Sequence, residues 1–147
     1  MIAEVGAPLR LRIRLDYRGV ARKRFLLGSR NSQQVAEDTR EQKVNLLRNL
    51  PLQGIEIEQV DMQVSPYTLY DEAQGAEITY APVVLTLRAE SLEDVVRFLF
   101  WEEFRKVEIL EPEELLLDRH QLERLLFRIG EGAQESRLAL EKKLTGR

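Results

Sequence analysis

The sequence predicts an α+β fold, an antiparallel sheet with helices on one face, and three observations carry that prediction. Residues 9–27 alternate apolar and basic side chains with the period of a half-buried strand. Residues 31–50 and 91–104 place apolar side chains at helical spacing. Around them, strand-like stretches recur at 55–64, 67–70, 77–89 and 106–110.

In the first segment Leu9, Leu11, Ile13, Leu15 and Tyr17 form the apolar phase, and Arg10, Arg12, Arg14, Asp16 and Arg18 the polar one. A three-residue loop at Tyr17-Arg18-Gly19, with Gly19 supplying a left-handed backbone, predicts an N-terminal β-hairpin. That register pairs Leu15 with Ala21, Leu11 with Phe25 and Leu9 with Leu27, and it collects Arg12, Arg14, Arg22 and Arg24 on the opposite face. The next helix opens at Asn31 with Gln34 three residues on, spaced as a capping box, and Pro51 stops it. Between Ile57 and Val60 the alternation changes phase, which predicts a bulge.

YTLY and EITYAPVVLTLRA read as two strands around the turn DEAQGA, the second interrupted near Pro82. Ser91, three residues before Asp94, opens a helix that is apolar on nearly every side and is expected to be the most buried. Its Phe98, Phe100, Trp101 and Phe104 read as core. A last strand through Val107 and Ile109 ends at Glu111-Pro112. The remainder reads as helix, first through Leu115, Leu122, Leu125, Leu126 and Ile129 to Gly130, then as an amphipathic tail from Ala133 to Leu144. The order contains β-α-β-β-α-β, the split βαβ arrangement of ferredoxin-like folds. We expect one domain over 1–147, with the sheet and two packing helices in 1–112 and a helical extension in 113–147.

Composition narrows the chemistry. The 147 residues are 44% hydrophobic and 32% charged with a formal charge of −3, the balance of a globular chain. Cysteine is absent, which excludes disulfides, thiolate metal sites and thiol nucleophiles. A single histidine, His120, cannot build a multi-histidine metal site; it reads as a solvent-facing helix residue. No glycine sits in a phosphate-cradling motif. ILEPEELLLD lacks the loop pattern that wraps calcium, so its acids read as the start of a helix complementing the dipole. Apolar runs such as VVRFLFW fall far short of the roughly 20 residues that cross a bilayer. No signal-peptide pattern opens the sequence. The expectation is a cytoplasmic protein without cofactor or metal and away from membranes.

Charge is unevenly spread. Residues 9–27 hold seven basic side chains, Arg10, Arg12, Arg14, Arg18, Arg22, Lys23 and Arg24, against Asp16 alone. Residues 102–118 hold Glu102, Glu103, Glu108, Glu111, Glu113, Glu114 and Asp118 against Arg105 and Lys106. Like charges directly opposite in a sheet cost about 0.2–1 kcal/mol per pair, so the arginines need counter-charges. The six glutamates are the candidates, within the chain or across a subunit interface. Arg10, Arg12, Arg14, Arg22, Lys23 and Arg24 are the candidate partner- or anion-binding residues. Phosphate is the other answer, yet single-strand readers of this fold display aromatics on the open sheet face, and the polar phase here carries none.

The stretch VVLTLRAESLEDVVRFLFWEEFRKVEILEPEEL, residues 83–115, resembles the C-terminal extension of WYL-domain transcriptional regulators in its order of strand, helix, strand and then Glu111-Pro112 opening a closing helix. The resemblance implies a regulatory or assembly module of ferredoxin-like shape. It carries over no ligand-binding residue, since the WYL tripeptide and a helix-turn-helix reader are both missing. The sequence therefore leads to a non-catalytic, self-associating module, a homodimer binding a protein partner. Nucleic-acid binding through residues 9–27, and a small-molecule-binding domain or enzyme, are the alternatives.

Overall fold

The structure, a computed structural model, describes residues 2–3, 8–20, 22–24 and 28–145, with backbone alone for 2–3, 22–24 and 28–30. Its strands are β1 (Ile2–Ala3), β2 (Leu9–Val20), β3 (Arg22–Arg24), β4 (Gly28–Arg30), β5 (Ile55–Asp61), β6 (Tyr67–Asp71), β7 (Ala76–Ala89), β8 (Phe104–Glu111) and β9 (Glu114–Leu115). Its helices are α1 (Ser32–Asn49), α2 (Leu92–Leu99) and α3 (Arg119–Leu144). The main sheet has the order β5-β7-β2-β8, with β6 also on β7, and every adjacent pair is antiparallel. Connection β2-α1-β5 thus steps over β7, and β7-α2-β8 steps over β2.

Strand β2 is the centre of the core. Leu9, Leu11, Ile13, Leu15 and Tyr17 all face inward and are buried, as are Val83, Leu85, Leu87 and Ala89 of β7. Val44 of α1 and Val95 and Phe98 of α2 close over them, and Phe98 meets Trp101 edge to face at 4.7 Å. Each such aliphatic side chain stabilises the fold by roughly 1.5–3 kcal/mol through burial.

The N-terminal hairpin expected from the sequence does not form. Strand β2 runs on through Tyr17, Arg18 and Gly19, and its residues pair with β7 from Leu9↔Ala89 to Val20↔Ile78. On the other edge β8 takes Arg10 to Leu15. With both edges occupied, Leu11 and Leu15 cannot pair with a following strand, and Leu9 is paired with Ala89; Ala21, Phe25 and Leu27 lie outside the described residues. The chain instead makes a separate ladder of β3 with β4, Arg22 opposite Arg30.

Gly19 has a different reason from the one expected. Positive φ occurs only at Gly54 and Gly75 among the described glycines. A side chain on Gly19 would lie 2.7 Å from the Ser32 carbonyl oxygen and the same from the Ala36 Cα. Its absence lets α1 cross the end of β2 at backbone contact.

Other boundaries follow local chemistry. Asn31 caps α1 by accepting from the Gln34 amide at 2.8 Å. Ser91 does not cap α2 through its side chain; its hydroxyl donates to the Asp94 carboxylate at 2.9 Å. The bulge falls between Ile57 and Gln59. Pro82 does not interrupt β7, because it stands where β6 has ended at Tyr80 and β5 begins only at Val84.

At the C-terminus the helical reading is corrected twice. Residues 113–118 are not helical: Glu114 and Leu115 pair parallel with Ile2 and Ala3 as β9. The closing helix starts at Arg119, where Asp118 and Gln121 form a full capping box, so the glutamates precede the helix and none lies in its first turn. It then runs unbroken through Gly130 and Gly132, about 39 Å at 1.5 Å per residue. Gly132 meets the Phe100 ring, fixing α3 against α2.

Replacing Gly19 by Ala is expected to cost about 1–3 kcal/mol through overpacking against α1. Urea unfolding measures it, and an unchanged midpoint would contradict the close crossing.

Candidate interaction surface

The strand period that buries Leu9 to Tyr17 leaves Arg10, Arg12, Arg14, Asp16 and Arg18 on the other face, and neither α1 nor α2 covers that face. Register decides their neighbours. Arg12 lies between Thr86 and Glu108, Arg14 between Val84 and Lys106, and Arg10 between Arg88 and Glu111. The arginine-on-arginine pairing expected for Arg12 and Arg14 is therefore absent.

Two bulges aim charged side chains at this surface. Glu58 is the extra residue of the β5 bulge; it accepts from Arg10 Nε at 2.8 Å and sits 3.7 Å from Arg88. It thus separates two arginines that the ladder places directly opposite. Arg105 is the extra residue where β8 shifts register between Arg14 and Leu15, and its Nε lies 3.8 Å from Asp16. Bulges commonly re-aim a side chain in this way.

Asp16 is the anchor of the far end. It is 2% exposed although it points to the open face. Arg14 Nε donates to it at 2.9 Å, and the Tyr67 hydroxyl donates at 2.5 Å. Tyr67 stacks on Tyr80 at 5.2 Å, and the Arg105 guanidinium lies 5.5 Å from the Tyr80 ring centre. The Asp16 amide donates to the Glu103 carbonyl at 2.8 Å, extending the ladder past the bulge. Burial, and then the hydrogen bond to Asp16, push the Tyr67 hydroxyl above the usual tyrosine range. Burial, with help from Glu103, does the same to Tyr17 on the inner face.

The expected counter-charges divide accordingly. Glu108 lies 3.8 Å from Arg12 and 3.4 Å from Lys106, and Glu102 lies 4.0 Å from Arg18. Glu111 opposes Arg10 across the ladder, Glu103 serves Asp16 and Tyr17, Glu114 belongs to β9, and Glu113 precedes it. For Arg22, Lys23 and Arg24 the structure describes the backbone alone. Glu58 and the Tyr67–Asp16 contact escaped the sequence reading. The phase change at 57–60 marks the Glu58 bulge but not its target across β7. A shallow depression remains among Arg12, Arg14, Gln59, Asp61, Thr86, Lys106 and Glu108, with both charge signs in its lining. Among the described residues no group of three or more His, Asp or Glu converges to hold a metal ion, and no helix is long and apolar enough to cross a membrane. His120 is exposed on the first turn of α3.

The second surface is α3 itself. None of its residues is buried. Gln121, Leu125, Arg128, Gly132, Ala139 and the edge residue Ser136 define the side toward α2, through Gly132 on Phe100 and Arg124 near Glu93 at 3.6 Å. Beside that line runs a second one at heptad spacing: Leu122, Leu126, Ile129, Ala133, Ser136 and Leu140. Its large members are open to solvent, Leu126 at 63% and Leu140 at 56%. A contiguous line of exposed apolar side chains is the kind of surface that meets a partner; Phe127 and Leu138 are exposed on other sides of the same helix.

The fold and these surfaces define an α+β domain with an open antiparallel sheet, charged on one face and helix-covered on the other. No family model, no curated protein and no solved structure matches the chain.

Asp16→Asn is expected to lower stability by about 1–3 kcal/mol, because Arg14 and Arg105 lose their carboxylate. A raised folded-state tyrosine pKa contributes stability that is complete below the unfolded value near 10 and is lost as pH rises through the folded value. The wild-type protein is thus expected to weaken in alkali above about pH 10, and Tyr67→Phe to weaken less steeply. Chemical unfolding at neutral and alkaline pH checks both; equal alkaline losses in the two proteins would contradict the Tyr67 contribution.

Proposed function

We propose that this chain is a non-catalytic assembly module of ferredoxin-like shape, which self-associates as a dimer through α3. The shape is supported by the strand order β5-β7-β2-β8 with helical crossovers over β7 and β2, the order of a split βαβ unit. The single observation behind self-association is the apolar line on α3. A helix of 26 residues with none buried draws little of its stability from tertiary packing. A partner on that line supplies what is missing.

A regulatory role rests on the resemblance of residues 83–115 to WYL-regulator extensions. The succession β7, α2, β8 agrees with that layout, whereas the closing helix begins at Arg119 rather than at Glu111-Pro112. Self-association is favoured over nucleic-acid binding because Arg10, Arg12, Arg14 and Arg18 each have a carboxylate within 4.0 Å. Phosphate would have to displace those partners. The three exposed pairs are individually weak, about 0–1 kcal/mol, and with the buried Asp16 they set four carboxylates among the seven cations Arg10, Arg12, Arg14, Arg18, Arg88, Arg105 and Lys106.

Sedimentation equilibrium over a concentration series tests the reading. The expected result is a dimer whose mass persists at high salt, since the contact is apolar. A monomer at every concentration would remove the proposal.

A further inference from the structure

Resting on that reading, we infer that two copies of α3 pair antiparallel about a two-fold axis beside Gly130, with Glu123 of each copy against Arg137 of the other. The size pattern of the apolar line decides the direction. Leu122, Leu126 and Ile129 occupy its N-terminal half, while Ala133 and Ser136 precede Leu140 in the other. Antiparallel pairing sets Ile129 over Ala133, Leu126 over Ser136 and Leu122 over Leu140 in successive layers, each twice by symmetry. Large then meets small in the centre, and the outer layer is Leu on Leu. Parallel pairing would instead set Ala133 on Ala133 and Ser136 on Ser136, opening a gap in mid-seam while crowding Leu126 and Ile129.

Charge agrees with size. Glu123 and Arg137 flank the seam on the side away from α2, at equivalent heptad positions that face each other across an antiparallel pair. The flanking position between them is Gly130, and a side chain there would find nothing of its own chain within 4 Å. An open glycine in mid-helix weakens an isolated helix. Beside the axis it lets the two backbones approach. The positions beyond Leu122 and Leu140 are Arg119 and Lys143, cations in the same layer, and they set the ends of the contact. Between those ends the seam is about 28 Å long. The adjacent side of α3 is held against α2, with Ser136 at the border between the two, so pairing adds a second copy beside a contact that the fold already makes. Such an interface is isologous, as two-fold dimers require.

Charge exchange tests the direction. By sedimentation at low salt, Glu123→Arg and Arg137→Glu are each expected to weaken the dimer about five- to tenfold, because two ion pairs become like-charge contacts. The double variant E123R/R137E is expected to recover the wild-type dissociation constant. Both residues are exposed, and circular dichroism of each variant verifies that the fold is intact. Ile129→Asp is expected to abolish the dimer in the same assay. A wild-type dimer indifferent to Ile129→Asp, or single charge variants that the double variant does not rescue, would overturn the antiparallel seam while leaving self-association standing. A wild-type monomer would overturn both.

Discussion

The structure depends on strand β2, a twelve-residue strand bonded along both edges. A strand so placed must commit one face to the core, and Leu9, Leu11, Ile13, Leu15 and Tyr17 meet that demand without a break. Its neighbours in the sheet and the helices that cover it are arranged around it. Strand β7 lies on one edge and β8 on the other, α1 crosses its end at Gly19, and α2 spans from β7 to β8 above it. A one-residue slip would send five arginine or aspartate side chains inward, which gives the register its strength.

The arginines follow from that commitment. Period two leaves every second residue outside, and the fold then answers their mutual repulsion by geometry. Bulges in β5 and β8 bring Glu58 between Arg10 and Arg88, and Arg105 onto Asp16. Asp16, buried beneath Arg14, Arg105 and Tyr67, is the acid that makes a basic strand tolerable at its crowded end. Tyrosines 67 and 80 join this cluster from β6 and β7, so the open face does carry aromatics, spent on stacking with each other and on Arg105.

Much of this was legible in the sequence. Alternation identified the buried phase of β2, the Asn31/Gln34 spacing located the start of α1, and the phase change at 57–60 located the bulge. Periodicity assigns faces, however, and is silent about which strand lies at each edge. A glycine after an alternating run therefore read as a turn, when its role was to admit a helix. Pro82 read as a break because the sequence does not reveal that β5 and β6 share an edge and leave a gap at that point. Glu58 was invisible as a partner because it reaches Arg10 across an intervening strand. In α3 Gly130 read as a helix terminus, although the helix runs on through it with that glycine facing open space and Gly132 packing on Phe100.

Hydrogen exchange of individual backbone amides in the native protein tests the central place of β2 most directly. The amides of Leu11, Ile13 and Leu15 are expected to exchange only through global unfolding, the slowest class in the protein, while those of the edge strand β6 exchange through local opening. Exchange in β2 as fast as in β6 would contradict a strand held along both edges and would reopen the hairpin that its sequence first suggests.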